Sequence, residues 1–385
     1  MLNNILIKDF KMIRPKYEIN QTDYSKLNCE ILYQSYLKKS NNKECKETKK
    51  KILDDIEYFM CKPDRLKKRA FFCPDLIVEN PEDRKIANTL KNEYGSNLKE
   101  RMEVFKEISL EVFEKIYEAS NDNQPNILVF TTSVGYIAPS PAQLFLANKG
   151  WYNTNVFHVF HTGCYGAFPA INIASSQIAF RNSVHNSYEK ANIVHLESNF
   201  IHYNPSNQNP AQLINHSLFA DGAIKYSVEL DNGTNTANSL KLVYSFDKII
   251  PNTQHAVNFK VDDISFFNEM SKYLADLVID NVTEYLHEFC YKAKVDFNFL
   301  CENAVFALHP GGPKILDGIV DKLKLKPWQV ENSYYVFENY GNMSSATLPH
   351  VLQRICENDS YKDKYVFALG MSPGLTIGSA LFKRL

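Results

Sequence analysis

The stretch TNVFHVFHTGCYGAFPAINIASSQIAF (residues 154–180) joins an apolar run, a turn of small residues and a helix-like segment. The apolar run Asn155–Phe160 is typical of a strand buried on both faces. Gly163 and Gly166 predict a tight turn after it, so Cys164 lies at the start of a helix. The helix dipole and free N–H groups favour a thiolate there. A buried structural cysteine is equally common, so this turn alone leaves both interpretations open.

Apolar runs of this kind recur along the chain and alternate with segments of helical periodicity. The runs that predict further strands are NILVFTTS (126–133), ANIVHLES (191–198), LFADGAIKYSVEL (218–230), LKLVYSFDKII (240–250), AVFALHP (304–310) and the hairpin-like YVFALGMSPGLTIGSALF (365–382). Buried strands that alternate with helices predict an α/β fold, in which sheets lie between layers of helices.

The helical pattern is strongest near the N-terminus and after residue 265. The first 120 residues predict mostly helix, most clearly over residues 97–120, where apolar residues recur three and four positions apart. Residues 266–289 predict a second long helix. Each half of the chain has a long helix, a buried strand, a loop with an unusual residue and a helix. We therefore predict a duplicated architecture, with halves over residues 1–230 and 231–385.

Composition excludes several classes of protein. The 385 residues carry a formal net charge of −1, so no strong field attracts nucleic acid or an anionic membrane. No apolar run approaches the ~18 residues that suggest a membrane span, and the N-terminus lacks the pattern of a signal peptide. The eight cysteines are scattered without a CxxC pair, which indicates neither a zinc ribbon nor a redox motif, and we predict no metal site. We expect a reduced, cytoplasmic protein.

Two later loops carry residues suited to catalysis. His309 ends a predicted strand and precedes Pro310–Pro313 (PGGP), a stiff segment that would aim the ring as a general base requires. Asn342 follows Gly341 in a predicted turn, where its amide would donate to a developing oxyanion. A lone histidine is often structural, and an asparagine here would also serve as a helix N-cap.

Together the three residues make a stronger case than each does alone. Cys164, His309 and Asn342 each follow a strand or turn and precede a helix. Functional sites of α/β sheets collect at the carboxyl ends of strands, which predicts that the three share one pocket. The order Cys, His, Asn also fits a papain-like protease. The cysteine lies far from the N-terminus, however, and its flanks differ from the CGSCW pattern.

Six segments of this chain resemble one known family. These are ILVFTTSVGYIAPSPAQLFLANKG, GCYGAFPAINIA, SLFADGAI, HPGGPKILD, YGNMSSA and GMSPGLTIGSALF. In this order they resemble the thiolase-fold condensing enzymes, and most closely the chalcone/stilbene-synthase-like (type III) polyketide synthases, over about residues 65–385. The resemblance implies a thiolase-like, duplicated α-β-α-β-α layered sandwich with two similar halves.

The resemblance also implies roles for individual residues. Cys164 would be the acyl-accepting nucleophile, held as a thiolate by His309. His309 and Asn342 would stabilise the thioester oxyanion and an enolate. Phe219 and Phe259 would be aromatic gatekeepers of the substrate pocket. The other pocket residues would be Thr132, Ser133, Glu197, His202, Ser344, Gly370 and Pro373.

Substrate and partners follow from the same resemblance. The chain is similar to bacterial ketosynthases that join two acyl chains and cyclise them to α-pyrones, dialkylresorcinols or cyclohexanediones. The substrates would be thioesters of coenzyme A or of an acyl carrier protein, with no resident cofactor, and the protein would be a homodimer. A basic cluster, Lys62, Arg65, Lys67, Lys68 and Arg69, would bind the phosphates of coenzyme A or the acidic face of the carrier protein, unless it is a solvated helix face.

Two alternative functions stay open. One is a starter ketosynthase of the fatty-acid type (β-ketoacyl-acyl-carrier-protein synthase III-like), which releases a linear product. The other is a non-catalytic partner subunit.

Overall fold

The computed structural model of the chain describes residues 4–78, 80–118, 124–234 and 236–385. The strands in these ranges are β1 (Ile5–Ile13), β2 (Tyr17–Asn20), β3 (Lys68–Phe71), β4 (Ile127–Thr132), β5 (Asn155–Phe160), β6 (Lys190–Glu197), β7 (Gly222–Leu230), β8 (Leu240–Ile249), β9 (Val257–Val261), β10 (Phe266–Met270), β11 (Val305–Leu308), β12 (Tyr365–Ser372) and β13 (Thr376–Arg384).

The helices of the same ranges are α1 (Gln21–Lys39), α2 (Lys46–Phe59), α3 (Leu98–Ile116), α4 (Pro141–Lys149), α5 (Ala167–His185), α6 (Pro210–Leu218), α7 (Leu274–Ala293), α8 (Phe297–Asn303), α9 (Pro313–Leu323), α10 (Pro327–Tyr340) and α11 (Thr347–Cys356). None of these described helices is long and apolar enough to cross a bilayer.

One mixed sheet of nine described strands forms the centre of the molecule. Its order is β11-β12-β13-β8-β1-β7-β6-β4-β5. Starting from β1, the pairs with β7 and then β6 are antiparallel and the pair of β6 with β4 is parallel. Starting from β8, the pairs through β13, β12 and β11 repeat this pattern. The repeat confirms the predicted duplicated α/β fold, while the boundary at residue 230 stays a prediction.

Helices cover both faces of the sheet, and β4 shows how its sequence specifies this. Ile127 and Val129 face a core that contains α5 and α11. Leu128 and Phe130, on the opposite face, join a core with α1, α3 and α4. Each of these side chains is fully buried, which contributes roughly 1.5–3 kcal/mol per residue. A strand buried on both faces is continuously apolar, and this is the pattern that identified it.

Some predicted elements are wrong. The N-terminal region is not mostly helix in its first 20 residues, since β1 and β2 lie there and β1 is central to the sheet. The strand is irregular at Asp9, which has φ +54° where the β1–β7 pairing shifts register. The helix predicted over 97–120 is α3, and positions 119 and 120 lie outside the described residues.

The long helix predicted over residues 266–289 begins only at Leu274. Its first part is β10, which pairs with β9 in an antiparallel hairpin. Strand β5 is also not buried on both faces, because it forms the edge of the sheet and is half exposed. The period of an apolar segment does not reveal which neighbour it will pair with, so both errors arise from contacts between distant residues.

Candidate active site

Cys164 lies in a single 3₁₀ turn, Gly163–Tyr165, between β5 and α5. Gly163 has φ +58°, and a Cβ atom there would be 3.0 Å from Pro373 and 3.4 Å from the Phe259 ring. Glycine therefore permits both the left-handed backbone and the close approach of two other loops. The Gly163 N–H donates to Ser133 Oγ at 2.9 Å, which anchors the turn to the end of β4.

Asn342 is held by backbone and side-chain hydrogen bonds. Its N–H donates to Leu218 O, and its own carbonyl accepts from Ala220 N, both at 2.9 Å. Ser344 N donates to Asn342 Oδ1 at 2.9 Å, and Cys164 Sγ lies 3.8 Å from the same oxygen. These contacts assign Oδ1 as the acceptor. Asn342 Nδ2 lies 3.5 Å from Gly311 O, a weak contact that leaves an N–H donor for a ligand.

His309 follows β11, where its backbone N–H donates to Leu369 O at 2.8 Å. Its side chain is fully buried, and neither ring nitrogen has a hydrogen-bond partner in the described structure. Buried polar groups are usually paired, so two unpaired nitrogens on one ring indicate a ligand site. Burial lowers the pKa of His309 to about 3, which keeps the imidazole neutral.

One cavity of about 580 Å³, the catalytic cavity, brings together Cys164, His309 and Asn342. The rest of its lining is mostly apolar: Leu218, Phe219, Val257, Phe259, Met270, Leu274, Ile315, Met371, Pro373 and Leu375, with Asn215, Asn268, Gly311 and Ser372. The three residues belong to loops that follow or precede β5, β11 and α10, so the sheet positions side chains that are far apart in the sequence.

A second cavity of about 620 Å³, the distal cavity, lies next to the first. Four residues line both cavities: Asn215, Phe219, Phe259 and Asn268. The two predicted gatekeepers, Phe219 and Phe259, therefore lie where the cavities meet. Their role in controlling passage stays a prediction.

The other predicted pocket residues divide into two groups. Pro373 lines the catalytic cavity, and Ser133 and His202 line the distal cavity. Four do not line either cavity: Thr132, Glu197, Ser344 and Gly370. The assignment of these four residues to the substrate pocket therefore stays a prediction.

Two of these four lie directly behind the site. Glu197 is fully buried and accepts hydrogen bonds from Ser133 N at 3.0 Å and from Ser345 Oγ. Burial raises the pKa of Glu197 to about 7. A Cβ atom on Gly370 would be 3.4 Å from Cys164 O and 3.7 Å from His309 Cβ. Gly370 therefore lets the loops that carry Cys164 and His309 pack closely. The hydrogen bond from Ser133 N to Glu197 fixes the segment that holds Ser133.

Sequence reasoning missed Phe266, Asn215 and Asn268 as lining residues. Phe266 stacks on His202 with ring centroids 4.4 Å apart, and its N–H donates to His202 Nδ1. It was missed because its segment was predicted as helix. Asn215 lies one helical turn before Phe219, whose N–H donates to Asn215 O. Residues four positions apart lie on the same side of a helix, so the spacing between Asn215 and Phe219 was the one local signal that Asn215 lines the pocket.

The electrostatics of the resting site differ from what the resemblance implies. Burial, and next the charge of Glu197, raise the pKa of Cys164 to about 12. Burial lowers the pKa of His309. Both shifts oppose a thiolate–imidazolium pair, because desolvation disfavours each charged form. The site at neutral pH is therefore described by a thiol and a neutral imidazole, and the ion pair stays a prediction.

The predicted basic cluster does not form one open surface. Arg69 is buried within β3, lies over the Tyr24 ring at 3.8 Å and donates to His216 O and Phe219 O. Its prediction as a phosphate ligand is wrong, because the guanidinium is buried against the Tyr24 ring and these two backbone carbonyls. The segment is also a turn and a strand, not a helix face.

The remaining basic residues are more exposed than Arg69 and already have partners. Three of them form ion pairs: Arg65 with Asp317, Lys67 with Glu338 and Lys68 with Glu18. Lys62 Nζ donates to Glu57 O. Exposed ion pairs are weak, so binding of the thioester carrier by these four side chains stays a prediction. No group of three metal-binding side chains occurs among the described residues.

Stability is expected to fall steeply below pH 6.5. Burial lowers the pKa values of His195, His202, His216 and His309 to about 3 and that of His350 to about 4. These five gain protons on unfolding below pH 6.5. Glu197 and Asp221, whose pKa values burial raises to about 7, release protons on unfolding over the same range. The net uptake is about one proton at pH 6.5 and rises to about three near pH 5.5, so the free energy of unfolding falls by about 1 kcal/mol per pH unit at first and by about 4 kcal/mol per pH unit near pH 5.5.

Urea unfolding at pH 7.5, 6.5 and 5.5 measures this dependence. We expect the free energy of unfolding to decrease between pH 6.5 and 5.5, and His350→Gln to reduce the slope by about one proton. Equal stability at the two lower pH values would contradict the assignment of neutral buried histidines.

Fold and site together define a thiolase-fold condensing enzyme. The family description "Chalcone and stilbene synthases, C-terminal domain" matches residues 241–385. Type III polyketide synthase C of Arabidopsis thaliana is 25% identical over 354 residues, covering 87% of this chain and 86% of that protein. The chain is therefore an acyltransferase of the condensing type, which matches the chalcone/stilbene synthase family over residues 241–385 and is similar to type III polyketide synthases over most of its length.

Solved structures show the same fold. PKS-I from the brown alga Ectocarpus siliculosus superposes with a TM-score of 0.82 at 18% identity and covers all of both chains. The 1,3,6,8-tetrahydroxynaphthalene synthase of Streptomyces coelicolor has a TM-score of 0.76 at 18% identity, with 98% of this chain and 99% of that chain covered.

Proposed function

We propose that Cys164 accepts an acyl group from a carrier thioester, and that His309 and Asn342 then support its Claisen condensation with a second thioester. The observation that carries this proposal is that a thiol, an unpartnered imidazole and an oriented amide line one largely apolar cavity. Such a cavity excludes water, and hydrogen bonds from its few donors are correspondingly strong.

Acylation starts from the neutral thiol. Cys164 Sγ attacks the acyl carbonyl, its proton passes to His309, and the carrier thiol leaves with that proton. A neutral imidazole with free nitrogens can accept the proton, whereas a charged one cannot. Covalent attachment holds the acyl group in place while the first carrier is exchanged for the second.

Condensation needs a carbon nucleophile. Loss of CO₂ from a malonyl group, or removal of the acidic proton between the carbonyls of a β-ketoacyl group, leaves an enolate. Its carbon attacks the Cys164 thioester, a carbon–carbon bond forms and the carbon–sulfur bond breaks. Donation from Asn342 Nδ2 and from a ring N–H of His309 to the enolate and thioester oxygens lowers the barrier, because charge develops on those atoms. The departing Cys164 thiolate regains a proton from His309 where the ring took the proton of the β-ketoacyl group, and from solvent where CO₂ was lost.

The second part of the proposal is ring closure to a resorcinol, a cyclohexanedione or a pyrone. The distal cavity supports it, because it adjoins the catalytic cavity at Phe219 and Phe259 and extends the space that is open to a product chain. Mass analysis of products formed from acyl, malonyl and β-ketoacyl coenzyme A thioesters tests this step. We expect cyclic products, and a linear β-ketoacyl thioester as sole product would favour the starter-ketosynthase alternative.

A homodimer is proposed on the basis of strand β5. It is the edge of the nine-stranded sheet in the described structure, its outer side is unpaired, and it is half exposed. Tyr152, just before it, is 81% exposed. Unpaired edges invite pairing with another chain, and pairing of β5 with β5 of a second copy would give a two-fold interface. Light scattering is expected to give twice the mass of one chain, and a single-chain mass would overturn this proposal.

A further inference from the structure

A line of hydrogen-bonded side chains runs through the core directly behind the turn that carries the nucleophile. Tyr226 Oη on β7 lies 3.0 Å from His195 Nε2 on β6, and His195 Nδ1 lies 3.1 Å from Ser345 Oγ. Ser345 Oγ in turn donates to Glu197 Oε1. All four side chains are fully buried. We call them the core network, and the proposed mechanism does not use them.

The charge of Glu197 sets the direction of every bond in the core network. A carboxylate only accepts, so Ser345 Oγ–H donates to it, and Ser345 Oγ is left to accept from His195 Nδ1–H. An imidazole with its proton on Nδ1 accepts at Nε2, so Tyr226 Oη–H donates there. Burial, and next the charge of His350, lower the pKa of His195 to about 3, which keeps the ring neutral. The aligned donors stabilise the carboxylate together, because each bond polarises the next.

Glu197 is also connected to the turn that carries Cys164. Its Oε2 accepts from Ser133 N at 3.0 Å, and Ser133 Oγ accepts from a backbone N–H of that turn at 2.9 Å. A Cβ atom on Gly166, at the end of the turn, would be 2.9 Å from Ser345 Cβ, so Ser345 packs against the same turn. A negative charge at this place opposes loss of the thiol proton. It is the second cause, after burial, that raises the pKa of Cys164.

We propose that His195 is a positioning residue that holds Glu197 as a carboxylate through Ser345, and that this charge keeps Cys164 as a thiol in the resting protein. The inference rests on the proposed function, because it takes Cys164 as the nucleophile. It adds control of the nucleophile's protonation to that function. A thiol is less reactive than a thiolate toward oxidants and stray electrophiles, so the core network protects Cys164 between turnovers.

Ionisation of Glu197 gives this control a measurable signature. Burial raises the pKa of Glu197 to about 7, so the charge behind Cys164 develops between about pH 6 and pH 8. The thiolate is the species that an electrophile alkylates, and its fraction grows about tenfold per pH unit below the thiol pKa. Across the range in which Glu197 ionises, the growth should be less than tenfold per unit, because the new charge opposes the thiolate.

Two other titratable groups face the same region from neighbouring elements. His350 on α11 is neutral, because burial lowers its pKa to about 4. Asp221 precedes Gly222, which pairs with Glu197 across β7 and β6, and burial raises the pKa of Asp221 to about 7. Asp221 accepts from Ser198 Oγ and from two backbone N–H groups instead of joining the core network. The test must therefore separate Glu197 from Asp221.

Alkylation of the full-length protein by iodoacetamide between pH 6 and pH 9 tests the inference without turnover. Peptide mass analysis gives the rate at Cys164 relative to the rate at Cys45, a free cysteine outside the site. Glu197→Gln removes the charge, and the double variant His195→Leu/Tyr226→Phe removes two of the aligned donors. His195→Gln is the conservative variant, since its amide keeps both a donor and an acceptor.

Wild type should show a shallow region near pH 7 in the plot of log rate against pH. Glu197→Gln should lack this region and should react about three- to tenfold faster at pH 8. In the double variant the shallow region should move up by about one pH unit, because the carboxylate is less well stabilised. His195→Gln should resemble wild type. A purely structural role of His195 would not move the profile along the pH axis.

Identical profiles in wild type and the folded double variant overturn the inference. Tyr226→Phe removes a single hydroxyl and serves where the double variant does not fold. It should move the profile in the same direction by a smaller amount, and no movement overturns the inference. A shallow region that persists in Glu197→Gln would belong to Asp221 and would also overturn it. Failure of the proposed function is distinguishable, since it would appear as a lack of acyl transfer to Cys164, which alkylation does not require.

Discussion

Replacing Cys164 by alanine is expected to abolish acylation and, with it, condensation. The proposed reaction has a covalent thioester, and the catalytic cavity has no second thiol in its lining. Neither His309 nor Asn342 can replace a sulfur nucleophile that also leaves readily in the next step. Intact-mass analysis after incubation with an acyl coenzyme A thioester should show one added acyl group in wild type and none in Cys164→Ala.

A matched control is available in the same chain. Cys45 is a partly exposed free cysteine outside the site, next to Glu47, and Cys45→Ala should be acylated at the wild-type rate. Peptide mapping should place the acyl group on the peptide that contains Cys164. An equal amount of adduct in Cys164→Ala would show that acylation occurs elsewhere, and the assigned nucleophile would be wrong.

Replacing Asn342 by alanine is expected to leave acylation intact and to slow condensation by about 10²–10³-fold. Its Oδ1 is occupied by Ser344 N, while Nδ2 has only a 3.5 Å contact with Gly311 O. The variant therefore removes an amide donor of a lining residue that is only weakly engaged before substrate arrives. Single-turnover condensation of preacylated enzyme, measured separately from acyl transfer, isolates this step.

Two further variants define the role of the amide. Asn342→Asp keeps the size and the acceptor for Ser344 N but removes the N–H donor and adds negative charge, so it should be at least as slow as alanine. Asn339→Ala, on α10 outside the cavity, should leave the rate unchanged, because its Nδ2 donates to Tyr335 O. Equal condensation rates in wild type and Asn342→Ala would remove Asn342 from the mechanism.

The three residues of the site were identifiable because the signals for them are local. Gly163 beside Cys164, the PGGP segment after His309 and Gly341 before Asn342 each indicate a turn next to a strand or helix. Whether a segment forms a turn depends on a few neighbouring residues, so turns can be predicted from the sequence. The same holds for β4 and α5, whose apolar patterns reflect burial of whole elements.

Other features were not identifiable, for a related reason. Phe266 was placed in a helix, although it pairs across a hairpin with Val261. Arg69 was placed on a surface, although β3 turns it toward the carbonyls of His216 and Phe219. In both cases the local sequence pattern does not reveal which residue the side chain or strand will contact. The tertiary contact then overrides the local preference for helix or for exposure.

By itself, the sequence determined the alternation of strands and helices, the resemblance to a family, and the identity of a sulfur, an imidazole and an amide at three turns. These depend on the order of neighbouring residues. Only the tertiary structure decided that the three line one cavity, that a second cavity adjoins it, and that His195, Ser345 and Glu197 form one buried hydrogen-bond network behind Cys164. Burial and hydrogen-bond satisfaction are properties of the packed chain, because they are set by atoms that lie far apart in the sequence.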